Sequence, residues 1–279
     1  MFEMMKVEMT KLRKRRMTWI LLGCMVGVYV LIYVIHIGLV NNPPASMPQD
    51  AVDEMKASVV FPDSLNLIFG LAQSFGTLLL VIMIGAGVGS EYGWGSVRQV
   101  LTRKGIRHEY ILSKFFAYIV YAVIGLVISV AVGFVMSMIT TASIEGSINW
   151  AVIDREVIGT VFRNFGWTLY SLIPYILLAI TFAILGRSAL VGIGASLGYV
   201  FLELFAGPLL NLGNASVAKI SHFLIGTNTA ALLPQSGMES EMSMIDPPTM
   251  AWAAITLAIY SLVFLGISLW LFKKRDLTA

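Results

Sequence analysis

Hydrophobic and polar positions follow one another along this chain in blocks far longer than a soluble fold uses. Apolar runs cover residues 17–40, 65–89, 111–139, 167–185, 189–206 and 250–272. A helix needs about 20 apolar residues to cross a bilayer core of about 30 Å, and all six runs are near or beyond that length. Transmembrane barrel strands alternate and run only about 9–11 residues. The pattern therefore predicts an all-α membrane protein, with 1–279 forming a single transmembrane domain of six helices. Ahead of the first run, Phe2, Met5, Met9 and Leu12 fall on one helical face, while Lys6, Lys11, Lys14 and Arg15 point mostly elsewhere. That is the pattern of an amphipathic helix lying in the headgroup region, although a disordered basic tail fits so short a segment as well. The first apolar run exceeds the roughly 7–15 residues of a signal peptide, so it is read as an uncleaved span. Residues 41–64, 140–166 and 207–249 read as loops, the last with a stretch at Ala230 to Leu233 that could dip into the membrane.

Composition agrees with the pattern. The chain is 57% hydrophobic and 13% charged, against about 25% charged in soluble domains. A single cysteine, Cys24, permits no intrachain disulfide. The net charge of +3 matters less than where the charges sit. With both termini in the cytoplasm, 15 of the 19 basic residues fall in inner segments, and only Lys56, Arg155, Arg163 and Lys219 fall outside. Positive charge collects on the cytoplasmic side, which predicts a multi-pass protein of the cell membrane, N-in and C-in.

Small and polar residues inside the spans supply candidates for packing and for a pathway. Gly125, Ser129, Gly133 and Ser137 repeat every four positions along the third span. Gly23 and Gly27, and Gly194 and Gly198, make GxxxG pairs in the first and fifth. Such residues let helices approach closely in lipid. Asn66, Gly70, Gln73 and Thr77 form a polar stripe on the outer half of the second span. It either lines a substrate pathway or bonds neighbouring helices. Glu203, near the outer end of the fifth span, could bind a cationic substrate group, cap a helix or reach interfacial water; its position favours water.

Signatures of chemistry are sparse. There is no GxxxxGK[ST] phosphate loop, and His36, His108 and His222 are scattered, with no cysteine cluster for a metal. Gly194-Ala195-Ser196-Leu197-Gly198 matches GxSxG, which marks a nucleophile elbow only on a strand–turn–helix. An intramembrane serine protease acting through Ser196, a secondary transporter and a non-transporting scaffold are the competing classes. No catalytic residue, metal or bound cofactor is expected, and no nucleic-acid partner.

The remaining motif is the charged island from Gly89 to Lys114, GSEYGWGSVRQVLTRKGIRHEYILSK. Ser96 can cap a short helix, with Val97, Val100 and Leu101 on its apolar face and Arg98, Arg103 and Lys104 around it. Charge alone favours a loop that only fixes orientation. This island, with six spans and a basic entry helix, resembles the permease subunits of bacterial ATP-binding-cassette exporters, the group of lantibiotic immunity, bacitracin resistance and sodium extrusion permeases. The matching positions are Glu91, Gly95-Ser96, Arg98, Leu101, Arg107 and Lys114. Arg103-Lys104-Gly105 stands where many members have a proline. The specific motif covers about 25 residues. The resemblance implies a coupling helix built on Glu91, Gly95, Ser96, Val97, Arg98, Val100, Leu101 and Arg107, seated in a groove of a separate ATPase. It further implies an ATPase dimer carrying ATP and Mg, and a second permease chain, identical or paralogous.

Overall fold

A computed structural model describes residues 2–97, 107–147, 150, 153–211, 219–233 and 248–274. Among them the only long elements are helices, as the bilayer requires: with no water to satisfy backbone polar groups, a lipid-exposed span must bond internally. In chain order they are α1 (Phe2–Lys14), α2 (Arg16–Asn41), α3 (Gln49–Val59), α4 (Ser64–Gly93), α5 (Arg107–Glu145), α6 (Arg155–Gly186), α7 (Ala189–Asn211), a 3-10 turn (Lys219–Phe223), α8 (Ile225–Ala230) and α9 (Met250–Lys274). Six of these, α2, α4, α5, α6, α7 and α9, are long and apolar enough to span a membrane. The protein is a multi-pass membrane protein.

Burial divides the six into two kinds. In their most apolar stretches, α4 and α6 are 56% and 67% buried, against 17–22% for the other four. These two form the centre, and the rest present apolar faces outward, where lipid replaces protein. Close approach is concentrated between α4 and α7. A Cβ on Gly85 would lie 2.6 Å from the backbone nitrogen of Ile193, and one on Gly89 would lie 2.5 Å from Ala189 Cα. No side chain fits there. Polar pairs tie other helices together, as expected where hydrophobic drive between helices is missing. Tyr29 Oη donates to Ile68 O at 2.6 Å, Ser64 and Ser137 share a 2.6 Å bond, and Thr181 and Ser268 join α6 to α9 at 2.8 Å.

Several boundaries differ from the sequence reading. Residues 41–64 contain α3, held by the buried Val52 and Val59. The fourth span starts twelve residues before the apolar run, at Arg155, because Asp154 accepts from the amides of Glu156 and Val157. Val157, Val161 and Phe165 then lay an apolar stripe against the core. The 207–249 segment carries a buried piece, α8, with Ile225 and Asn228 fully covered. Arg187, in the left-handed conformation (φ 49°), closes α6 and turns the chain into α7.

The small-residue pattern is only partly a packing pattern. Gly133 packs tightly, since its Cβ would come within 3.0 Å of Ile68 and Tyr29, and Ser137 bonds Ser64. Gly125 instead has room, with nothing nearer than 3.9 Å. Gly23, Gly27, Gly194 and Gly198 would meet nothing within 4 Å. These four face away from the bundle, so the expectation that they pack helices within the chain is corrected. The α7 residue that does pack is Gly192, against Gly85 O.

Candidate functional site

At the end of the bundle where α1 lies, four charges close into a ring, three of them buried and Lys11 half-exposed. Glu8 and Lys11 sit one turn apart on α1, Glu91 is at the end of α4 and Lys114 near the start of α5. Lys114 Nζ lies 2.8 Å from Glu8 Oε2 and 2.8 Å from Glu91 Oε2, and Lys11 Nζ lies 2.7 Å from Glu8 Oε1 and 3.1 Å from Glu91 Oε1. Each carboxylate thus bridges both ammoniums. Lys114 is 1% exposed, which a lone ammonium could not tolerate. Tyr110 Oη also donates to Glu91 Oε2, and its ring stacks on Phe272 of α9 at 5.2 Å.

Neighbouring groups lock the same corner. Arg15, in the break between α1 and α2, donates to Ser90 Oγ at 3.1 Å and Gly87 O at 3.4 Å, with its guanidinium 5.3 Å from the Trp94 ring centroid. Tyr121 Oη donates to Met9 O at 3.2 Å. Lys11 lies outside the spans. Burial opposes its charge, but Glu8 and Glu91 outweigh that and hold the ammonium above its ordinary value.

This corner carries several of the residues singled out in the island. Glu91 and Lys114, which open and close it, meet directly in space. Gly95 adopts φ 69°, a conformation that favours glycine, and Ser96 Oγ donates to Glu91 O at 3.1 Å, fastening the turn. Two expectations change. Glu91 is buried inside the ring, so it is a strut and not a surface contact. Val97 is 2% exposed and belongs to the protein's own core, so it does not face a partner. Arg98, Val100 and Leu101 lie outside the described residues, as does the side chain of Arg107.

The other sequence candidates scatter. Asn66, Gly70 and Gln73 are half-buried, and Thr77 is buried with its hydroxyl bonded to Gln73 O of its own helix at 2.6 Å. None of them lines the cavity between α2, α4 and α5. Ser196 is fully buried in mid-helix and bonded to Gly192 O at 2.6 Å, without the strand–turn–helix that exposes a nucleophile.

Glu203 is not at interfacial water. It is 6% exposed and accepts four bonds, from Tyr175 Oη and Tyr199 Oη at 2.9 Å each, from the Ile225 amide at 2.6 Å and from the Gly226 amide at 3.1 Å. It caps α8 and pins that segment to α6 and α7. Among the described residues no group of three His, Cys, Asp or Glu gathers to hold a metal.

Sequence reasoning passed over Glu8, whose signal was an acid on the buried side of a basic helix with Lys11 at i+3. It also passed over Gly85 and Gly89, a plain GxxxG.

A family model described as a protein of unknown function (DUF2705) matches residues 54–278. The match takes in Glu91, Lys114 and Glu203 and leaves out α1. No curated protein matches the chain.

Proposed function

The chain belongs to the DUF2705 family, and from its own geometry we propose that it is the permease subunit of an ATP-binding-cassette exporter. The observation that carries this reading is the Glu91–Lys114 contact at 2.8 Å. The two residues that bound the charged island clamp its ends together, and through Glu8 they tie it to the entry helix. A push on residues 98–106 would then reach α1, α4 and α5 at once. Since α4 is one of the two central helices, its displacement would slide it along the glycine-lined contact with α7. That is the kind of rigid shift by which transporters exchange two packings.

In this reading the basic end faces the cytoplasm, by the positive-inside rule. With no phosphate loop in the chain, ATP and Mg belong to a partner ATPase dimer. Arg98, Val100 and Leu101 are the docking residues, while Gly95, Ser96 and Glu91 shape the loop from behind. A second permease chain completes the pathway.

The test is purification of the tagged chain from its native membrane in mild detergent. A chain with a GxxxxGK[ST] loop should co-purify in comparable amount, and Leu101→Asp should lose it while still inserting. An interface charge left unpaired costs several kcal/mol. Absence of any ATP-hydrolysing chain, or its retention by Leu101→Asp, would contradict the proposal.

A further inference from the structure

A half-open cavity of about 60 Å³ lies between α2, α4 and α5. Its wall runs from Thr18 to Met25 on α2, from Ala72 to Met83 on α4 and from Tyr121 to Ser129 on α5. At 1.5 Å per residue these stretches are ~10, ~16 and ~12 Å long. The void is therefore elongated along the spans. It begins at the α1 end, where Thr18 opens α2 and Tyr121 bonds Met9 of α1, and it ends near mid-membrane. That depth is about half of a ~30 Å core, the reach of one leaflet.

Its surface is mostly hydrocarbon. The hydroxyl oxygens of the lining residues Thr18 and Ser129 are buried, and that of Tyr121 is spent on Met9. The end of α1 beside it, in contrast, is cationic. The last turn of α1 carries Lys11, Arg13 and Lys14, and Arg13, Lys14 and Arg16 are exposed.

We propose that this cavity binds one acyl chain of an anionic phospholipid from the leaflet on the α1 side, with its phosphate held by Arg13, Lys14 and Arg16. The bilayer supplies that ligand at high concentration. The cavity has room for about four to six water molecules, enough for part of one chain, the remainder lying in the open side. The site does not depend on the transport reading. It would also hold α2, the least buried of the wall helices, against α4 and α5.

Two glycines leave the room. A Cβ on Gly76 would come no nearer than 3.9 Å to Met25, and one on Gly125 no nearer than 3.9 Å to Leu22. A larger side chain at either position enters the void without striking backbone. The test uses the full chain in vesicles of phosphatidylglycerol or phosphatidylcholine, each doped with the same lipid bearing a photoreactive group mid-chain. Labelling from phosphatidylglycerol should map to the facing stretches of α2, α4 and α5. Gly125→Leu should lower it about tenfold, equivalent to ~1.4 kcal/mol. Gly76→Leu carries the same test from the opposite wall if the first variant does not accumulate. Gly23→Leu, on the open side of α2, should leave labelling unchanged. Arg13→Gln with Lys14→Gln should weaken phosphatidylglycerol labelling at least about fivefold and leave the phosphatidylcholine signal alone. Undiminished labelling in both filled variants, an equal loss in Gly23→Leu, or equal labelling by the two lipids would overturn the proposal.

Discussion

Glu91 and Glu203 are buried to nearly the same degree, at 3% and 6% exposure, and each accepts several hydrogen bonds, but their partners differ in kind. Glu91 is matched by two ammoniums and shares them with Glu8, so the ring holds two positive and two negative charges. Glu203 meets only neutral donors, two phenols and the first two amides of α8. Cations are plentiful at the α1 end and scarce at the other, and each carboxylate has been satisfied with what its end supplies. The consequence is mechanical. The charged ring joins three elements up to 106 residues apart in sequence, where removing one member leaves a net charge inside. The neutral site joins one short segment to two spans, where removing the acid leaves unpaired dipoles.

The largest effect should follow from Lys114→Met, which strips one cation from the ring. Breaking a buried pair costs about 3–5 kcal/mol, so the variant should melt far below the parent or fail to accumulate. Adding Glu91→Gln removes the surplus charge and leaves Glu8 with Lys11, and should recover much of the loss. A single variant that melts like the parent would show that the ring carries no structural weight. Next comes Glu203→Leu, which orphans the Ile225 and Gly226 amides at roughly 1–3 kcal/mol. Its damage should stay local, seen as faster hydrogen exchange over residues 219–233 with α1 undisturbed. Spread of that change to α1 would mean the two sites are not independent. Gly85→Ala should cost about 1–3 kcal/mol by overpacking, whereas Gly194→Ala, facing open space, should leave the melting temperature where it was.

The smallest effect is the pH response of Lys11. Its folded value is raised above the ordinary 10.5, so its share of stability is complete below that pH and disappears as pH climbs through the folded value. The half-exposed position keeps the contribution small. Above about pH 10.5 the parent should lose melting temperature slightly faster than Lys11→Met. Parallel curves would remove Lys11 from the ring's energetics.

The six spans were legible because a bilayer imposes length and hydropathy on any helix that crosses it. The start of α6 was not, since Arg155 to Gly166 is mostly polar and its helical state depends on the Asp154 cap and the Val157–Val161–Phe165 stripe. Gly85/Gly89 and Gly194/Gly198 share one motif yet have opposite fates, because the spacing marks a smooth helix face but not what lies across from it. Glu91 and Lys114 were noticed as the ends of a motif. That they touch depends on two spans returning to the same corner, which no local pattern encodes. Glu203 was misjudged for a similar reason: its partners come from α6 and from a short helix inside a stretch that reads as loop.

The central claim, that the clamped island receives an ATPase, is tested most directly by cross-linking in native membranes. In a Cys24→Ser background, Lys104→Cys places a thiol in the island, and Ser46→Cys places one beyond the far end of α2. A membrane-permeant thiol-to-amine cross-linker should join the Lys104→Cys protein to a chain that carries a GxxxxGK[ST] loop, and the Ser46→Cys protein to none. Cross-linking of that chain through position 46, or its absence at position 104 when an ATPase co-purifies, would contradict the account.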